Sequence, residues 1–183
     1  MRYLEIRRHT MRNKPGKHLS QAGVNLARQV GEKLGPFDQV ITSKLPRAFE
    51  TAIAMGFAVE TRYAELNTID EAIESEIDWA AGFAEFAQII RQGGITARAA
   101  HQQAAFWQKL ALAVPEDGRA LLISHGSIIE AGTIGCLPDL DYSNWGKPCD
   151  YCEGVLLGFE GNRFITGELL RLKKEENEPE RKA

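Results

Sequence analysis

Three times along this chain a short run of strand-forming residues breaks off in polar ones and gives way to helical spacing, and this repeated order limits the possible folds more than any other feature. Tyr3-Leu4-Glu5-Ile6 runs into Arg7-Arg8-His9-Thr10, and a loop holding Asn13, Pro15 and Gly16 follows. Ser20 then stands as a helix N-cap ahead of Leu26, Val30 and Leu34 at four-residue spacing, a pattern stopped by Gly35-Pro36. Phe37 to Ser43 reads as the second strand, and Pro46 suits the first turn of the helix after it. Ala120 to Ser124 is nearly continuously apolar, as a strand buried on both faces is; His125-Gly126 ends it and a short helix runs from Ser127 to Gly135. Strands alternating with helices predict a three-layer α/β/α sandwich around a mostly parallel central sheet.

The remaining segments fit around that frame. Phe57 to Val59 reads as a third short strand. Trp79 to Leu112 has helical spacing interrupted at Gly93-Gly94, so two helices are expected, with Trp79, Phe83, Phe86 and Ile90 as a core stripe. Gly154 to Phe159 and Arg163 to Leu169 alternate as a hairpin around Glu160-Gly161-Asn162. A chain of 183 residues, 44% of them hydrophobic, suits one domain. That domain is expected over residues 1–172, with 173–183 as a polar tail.

The net charge of -3 gives no argument for nucleic-acid binding. The three cysteines, Cys136, Cys149 and Cys152, are odd in number and do not make a disulfide framework. The N-terminus lacks the apolar run of a signal peptide, and no stretch nears the roughly 20 apolar residues of a membrane span. A cytoplasmic protein without membrane contact is therefore expected. Cys149 and Cys152 have C-x-x-C spacing but no second ligand pair for a structural zinc. No metal or cofactor is expected, and nothing in the sequence speaks to oligomeric state.

In parallel α/β sheets ligands bind beyond the carboxyl ends of the strands. Arg8-His9, Arg47 and His125 each lie just past such an end, so two arginines and two histidines are expected to meet at one edge. Arginine offers a permanently charged planar fork that matches phosphate oxygens. A histidine can attack phosphorus and split one transfer into two easier steps, provided the attacking nitrogen is unprotonated; flanking cations favour that state. The second histidine can stabilise the charge on the transferring group. The leaving oxygen needs a proton, for which Glu65 is the first candidate and Asp70 and Glu71 compete. Arg7 reads as an outward-facing strand residue, and His18 and His101 as ordinary residues.

These residues stand in motifs that resemble the histidine phosphatase superfamily, the phosphoglycerate-mutase-like proteins. Arg8-His9-Thr10 resembles the family's Arg-His-Gly, with threonine for glycine. Ser43-Lys44-Leu45-Pro46-Arg47-Ala48-Phe49-Glu50-Thr51-Ala52 matches Ser-x-x-x-Arg-Ala-x-x-Thr-Ala at every fixed position. His125-Gly126 is similar to the family's late His-Gly, and Leu19-Ser20-Gln21-Ala22-Gly23 to its first-helix signature. The resemblance covers residues 3 to about 135. It implies that His9 is the phosphorylated nucleophile, that Arg8, Arg47, His125 and Gly126 bind the phosphoryl group, and that Glu65 aligns with the acid.

The function expected from both lines is a metal-independent phosphatase, acting on a phosphorylated small molecule or phosphoprotein. A mutase that returns the phosphoryl group to another hydroxyl is an alternative, but residues 57 to 115 hold no cluster of basic residues to grip a second acidic group. A non-catalytic phosphate-binding module is the other alternative.

Overall fold

The computed structural model describes residues 1–67, 73, 75–78 and 80–173. Asp70, Glu71, Trp79 and the tail beyond Lys173 lie outside the described residues. Along the chain run β1 (Arg2–Arg8), α1 (Gln21–Gly31), β2 (Gln39–Ser43), α2 (Pro46–Ala54) and β3 (Thr61–Tyr63), the last leading into a 3-10 turn at Ala64–Leu66. Then come α3 (Phe83–Gln92), α4 (Ile95–Ala113), β4 (Arg119–Ser124), α5 (Ile128–Cys136), β5 (Gly154–Glu160) and β6 (Arg163–Leu170).

The strands form one sheet in the order β3-β2-β4-β1-β5-β6. β3, β2, β4 and β1 are parallel; β5 runs antiparallel to β1, and β6 to β5. β4 pairs on both sides and is buried from Ala120 on, which accounts for its apolar run. Its side chains alternate between two cores. Ala120 and Leu122 join α3, α4 and α5 on one face through Phe83, Phe86, Trp107 and Ile129. Leu121 and Ile123 join α1 and α2 on the other through Leu26, Val30, Ala48 and Ala52. The result is the three-layer sandwich expected from the sequence. Among the described residues no helix is long and apolar enough to cross a membrane.

Ser20 caps α1, its Oγ accepting from Gly23 N–H at 3.1 Å. Gly161 and Asn162 both take positive φ, 55° and 67°, which suits the tight turn between β5 and β6. Gly93 and Gly94, also at positive φ, separate α3 from α4. Two readings are corrected. Phe57 to Val59 is not a strand: the pairing falls on Thr61–Tyr63, where Ile41, Thr42 and Ser43 of β2 find their partners. Arg7 does not face outward to solvent; it is buried, paired with Glu5 and donating through Nη1 to the Cys152 carbonyl at 2.7 Å. Glu5, itself fully buried, also pairs with Arg119, so the strand interior tolerates these charges because each has its partner.

Gly23 lets α1 dock onto the loop after β1, because a Cβ there would stand 2.1 Å from the Met11 carbonyl oxygen. That carbonyl is held by Ser20 N–H at 3.1 Å. We expect Gly23→Ala to destabilise the fold by roughly 1–3 kcal/mol in urea denaturation, although alanine is intrinsically the better helix former by about 1 kcal/mol. A gain in stability would show that the loop yields freely.

Candidate active site

The site gathers at the carboxyl ends of β1, β2 and β4. Parallel pairing sets Arg8 opposite Ser124, and His9 N–H continues the ladder to the Ser124 carbonyl at 2.9 Å. The first residues beyond the two strands, His9 and His125, therefore lie side by side with ring centroids 4.9 Å apart. Both are buried.

The partners of His9 decide its tautomer. Nδ1–H donates to the Thr10 carbonyl at 2.6 Å; a carbonyl only accepts, so Nδ1 carries the proton. Arg47 Nε–H donates to His9 Nε2 at 3.1 Å; a guanidinium only donates, so Nε2 presents a lone pair. Burial pushes the His9 pKa down to about 3; the Thr10 bond opposes this, and the charges of Arg47, Arg8 and Arg12 add to it. His125 is pushed down to about 2 by burial, with His9, Arg47 and Arg8 contributing. Its Nε2 lies 2.8 Å from Ser43 Oγ, which also accepts Leu45 N–H at 3.3 Å. His125 Nδ1 is buried and has no partner among the described residues.

Each fixed position of the Ser43–Ala52 motif now has a physical role. Ser43 orients His125 and Arg47 meets His9. Ala48 and Ala52 are fully buried and let α2 lie close on the sheet. Thr51 Oγ1 donates to the Arg47 carbonyl at 2.6 Å and accepts Thr10 N–H at 3.1 Å, tying α2 to the loop behind His9. Thr10, in place of glycine, is fully buried, and its hydroxyl donates to the Gly23 carbonyl at 3.1 Å. Its side chain thus anchors α1 rather than crowding the histidines.

Arg8 Nη1 donates to the Cys149 carbonyl at 2.7 Å, while its Nε is buried without a partner among the described residues. Its Cζ sits 4.9 Å from the Tyr151 ring centre, a cation–π distance, and Gly126 lies against it: a Cβ there would stand 3.6 Å from Cζ. Tyr151, whose ring centre is also 6.0 Å from that of His9, is a site residue that sequence reading passed over. It lies between the two cysteines, whose spacing drew attention instead. Burial pushes both thiols up, Cys152 to about 12, so neither supplies a thiolate. Their backbones do the structural work: the Cys149 and Cys152 carbonyls hold Arg8 and Arg7. Glu130 of α5 was likewise missed. It is fully buried, accepts Cys149 N–H at 2.7 Å and has no partner for Oε2 among the described residues, and burial raises its pKa against the opposing amides and Arg8.

Glu65 is exposed on the turn after β3, at the rim of a cavity of about 340 Å³ also lined by Arg98, Gln103, Phe106 and Ile128. The neighbouring Leu66 carbonyl accepts Ser124 Oγ–H at 2.9 Å, which fixes this turn to the same sheet edge. No contact joins the Glu65 carboxylate to either site histidine among the described residues. Nor, among them, do three or more metal-ligating side chains group to hold an ion. His18 pairs with Glu50 on the surface, and His101 is exposed on α4.

A family model, the histidine phosphatase superfamily (branch 1), matches residues 5–169. No curated protein matches this chain. Among solved structures it is similar to phosphoserine phosphatase from Entamoeba histolytica, crystallised with 3-phosphoglyceric acid: TM-score 0.69 and 18% identity, over 94% of this chain and 98% of that one. A mycobacterial glucosyl-3-phosphoglycerate phosphatase gives 0.62 and 19% over 93% and 98%. A phosphoglycerate mutase from Bacillus anthracis gives 0.65 and 14% over 92% of both chains.

The neutral imidazoles link stability to pH. Their folded pKa values lie below the ordinary 6.5, so between about pH 6.5 and 3 the unfolded chain binds protons that the folded chain refuses. Stability is therefore expected to fall as pH drops below 6.5, by up to about 1.4 kcal/mol per pH unit for each histidine. Urea denaturation at pH 7, 6 and 5 should show a shallower decline for a His9→Gln, His125→Gln double variant. Parallel curves would mean that these imidazoles protonate normally in the fold.

Proposed function

The chain belongs to the histidine phosphatase superfamily, branch 1, and on that footing we propose that it is a metal-independent phosphatase working through a phosphohistidine on His9. The observation that carries the proposal is the set of donors left without acceptors around a bare nucleophile. Arg8 Nε and His125 Nδ1 are buried and unpartnered among the described residues, and Nδ1 is a donor when Ser43 Oγ–H donates to His125 Nε2; among the same residues Arg47 bonds only the His9 lone pair. Buried polar groups are rarely left so. An oxyanion seated among them satisfies all three, and displaces Arg47 from Nε2 onto its own oxygens.

The lone pair on His9 Nε2 then attacks phosphorus. A P–N bond forms as the ester P–O bond breaks, and the negative charge spread over the phosphoryl oxygens rests on Arg8, Arg47 and His125. The Thr10 carbonyl stabilises the proton that stays on Nδ1. The leaving oxygen takes a proton from an acid, a role we assign to Glu65 for its place on the same edge; Asp70 and Glu71 remain its competitors. Water deprotonated by the same carboxylate next cleaves the P–N bond, releasing inorganic phosphate and restoring His9. The substrate is a phosphorylated small molecule or a phosphoprotein. A cytoplasmic setting agrees with the free state of Cys136, Cys149 and Cys152.

His9→Ala is expected to abolish turnover of p-nitrophenyl phosphate, since no other nucleophile is in reach. His125→Ala removes one stabilising group while the arginines stay, and should cost on the order of 10²–10³ in kcat. Wild type quenched during turnover should carry an acid-labile, base-stable phosphoryl label on His9. Label on a carboxylate or serine, or wild-type turnover by His9→Ala, refutes the mechanism. Because His9 is held neutral, the acidic limb of kcat/KM should not break near pH 6.5.

A further inference from the structure

A general acid has to be held within hydrogen-bond reach of the oxygen it protonates, and a misplacement of about 1 Å can cost on the order of 10² in rate. The Glu65 carboxylate supplies no such hold: it stands exposed on a turn of three residues, Ala64–Leu66, and bonds neither site histidine among the described residues. The turn is held through its backbone instead.

Two anchors come from the sheet edge. Ser124, next to His125, donates through Oγ to the Leu66 carbonyl at 2.9 Å, and Lys44 N–H, next to Ser43, donates to Asn67 Oδ1 at 3.0 Å. A further anchor comes from α4. Trp107 is fully buried in the core, and its indole N–H, a donor only, meets the side-chain amide of Gln103 one helical turn earlier. The Gln103 oxygen accepts it at 2.6 Å, which turns the amide nitrogen to donate to the Glu65 carbonyl at 3.0 Å. The opposite orientation would set oxygen against oxygen and N–H against N–H. Gly132 of α5 makes room for this pair: a Cβ there would stand 2.6 Å from the Trp107 ring and 2.9 Å from Gln103 Cγ. α5 begins at Ile128, just after His125-Gly126-Ser127, so the helix that seats Gln103 also leads out of the site.

A core tryptophan by itself asks only for an acceptor. Gln103 accepts from the core and donates to the acid-bearing turn at once. We propose that Gln103 is a positioning residue for the acid step, fixing the turn that carries Glu65 so that a carboxyl proton reaches the leaving oxygen. That proton moves as the P–N bond to His9 forms and the ester P–O bond breaks, and the electron pair of the broken bond stays with the oxygen that takes it. This rests on the phosphatase reading. The competing donors Asp70 and Glu71 follow the same turn in sequence, so the effect is read on the leaving group and not on any one carboxyl.

The test measures kcat/KM at pH 8 for wild type, Gln103→Glu and Gln103→Met on three substrates of similar size: p-nitrophenyl phosphate, whose phenolate leaves without a proton; phenyl phosphate; and benzyl phosphate, whose alkoxide needs one. Both variants lose the donor to the Glu65 carbonyl, while the glutamate, ionised at this pH, keeps an acceptor for the Trp107 indole. Each should lower kcat/KM on benzyl phosphate at least about tenfold more than on p-nitrophenyl phosphate, with phenyl phosphate between, since a general acid is worth on the order of 10²–10⁴ where the leaving group needs it. The amides of Leu66 and Asn67 should also exchange with solvent faster in both variants. Losses equal on all three substrates overturn the proposal, as does unchanged exchange at the turn. A leaving-group effect confined to Gln103→Met overturns it too, since that would trace the effect to the indole bond. If urea denaturation shows that Gln103→Met does not fold, Gln103→Glu decides alone. If wild type turns over none of the three, the phosphatase reading fails by itself and the role in proton transfer falls with it; faster exchange at the turn then upholds the anchor, and unchanged exchange removes that as well.

Discussion

The register between β1 and β4 is the constraint on which the site depends. Arg8 pairs with Ser124 at the shared end of the two parallel strands, and the chain leaves both strands at that level. A slip of one residue would carry every side chain of one strand to the opposite face. It would part the two imidazoles and put Leu121 and Ile123 where Ala120 and Leu122 now pack. The two cores on either face of β4 hold the register, so the chemistry at the edge is secured by packing several residues away.

Burying two imidazoles among guanidinium groups creates an electrostatic tension that defines the chemistry of the edge. Neither ring can afford a proton in such surroundings, and both pKa values fall far below the ordinary histidine value. By linkage, that arrangement disfavours the folded state as the pH falls below the ordinary histidine range. Its consequence is an imidazole on His9, the proposed nucleophile, that stays unprotonated across the whole physiological range, with the tautomer chosen by one backbone carbonyl. The same cations that keep it neutral are the natural ligands of an anion, so one set of charges serves both purposes in the proposed mechanism.

Behind the site, the loop from Cys149 to Glu153 acts as a brace. It receives Arg7 and Arg8 on its carbonyls, donates the Cys149 amide to buried Glu130, and is closed by Arg171, which bonds Glu153 and the Pro148 carbonyl. Tyr151 is thereby set over Arg8. The brace draws on β1, α5 and the residue just beyond β6, parts far apart in sequence, and its charge-assisted bonds to Arg7, Arg8 and Arg171 hold it against the sheet edge.

Local rules carried the sequence reading a long way. Ser20 as a cap, Pro46 in a first turn, Gly93-Gly94 as a break, the doubly buried run of β4 and the turn at Gly161-Asn162 are each decided by a residue and its near neighbours. The convergence of Arg8, His9, Arg47 and His125 followed from one further rule, that parallel strands bring their carboxyl ends to a common edge. What the sequence could not settle depends on pairing between distant segments. The third strand fell on Thr61–Tyr63 because β2 offered its partners there. Arg7 turned inward because Glu5 and the Cys152 carbonyl formed a polar site for it inside the fold. Tyr151 became part of the site only when a late loop closed over β1, meeting Arg8 and His9 more than a hundred residues away, and Glu130 only by accepting the amide of Cys149 in that loop, contacts that leave no trace in local pattern. The sequence by itself determined which elements form and which chemistry they carry; the tertiary structure decided which side chains meet, because burial and hydrogen-bond partners exist only once the layers have packed.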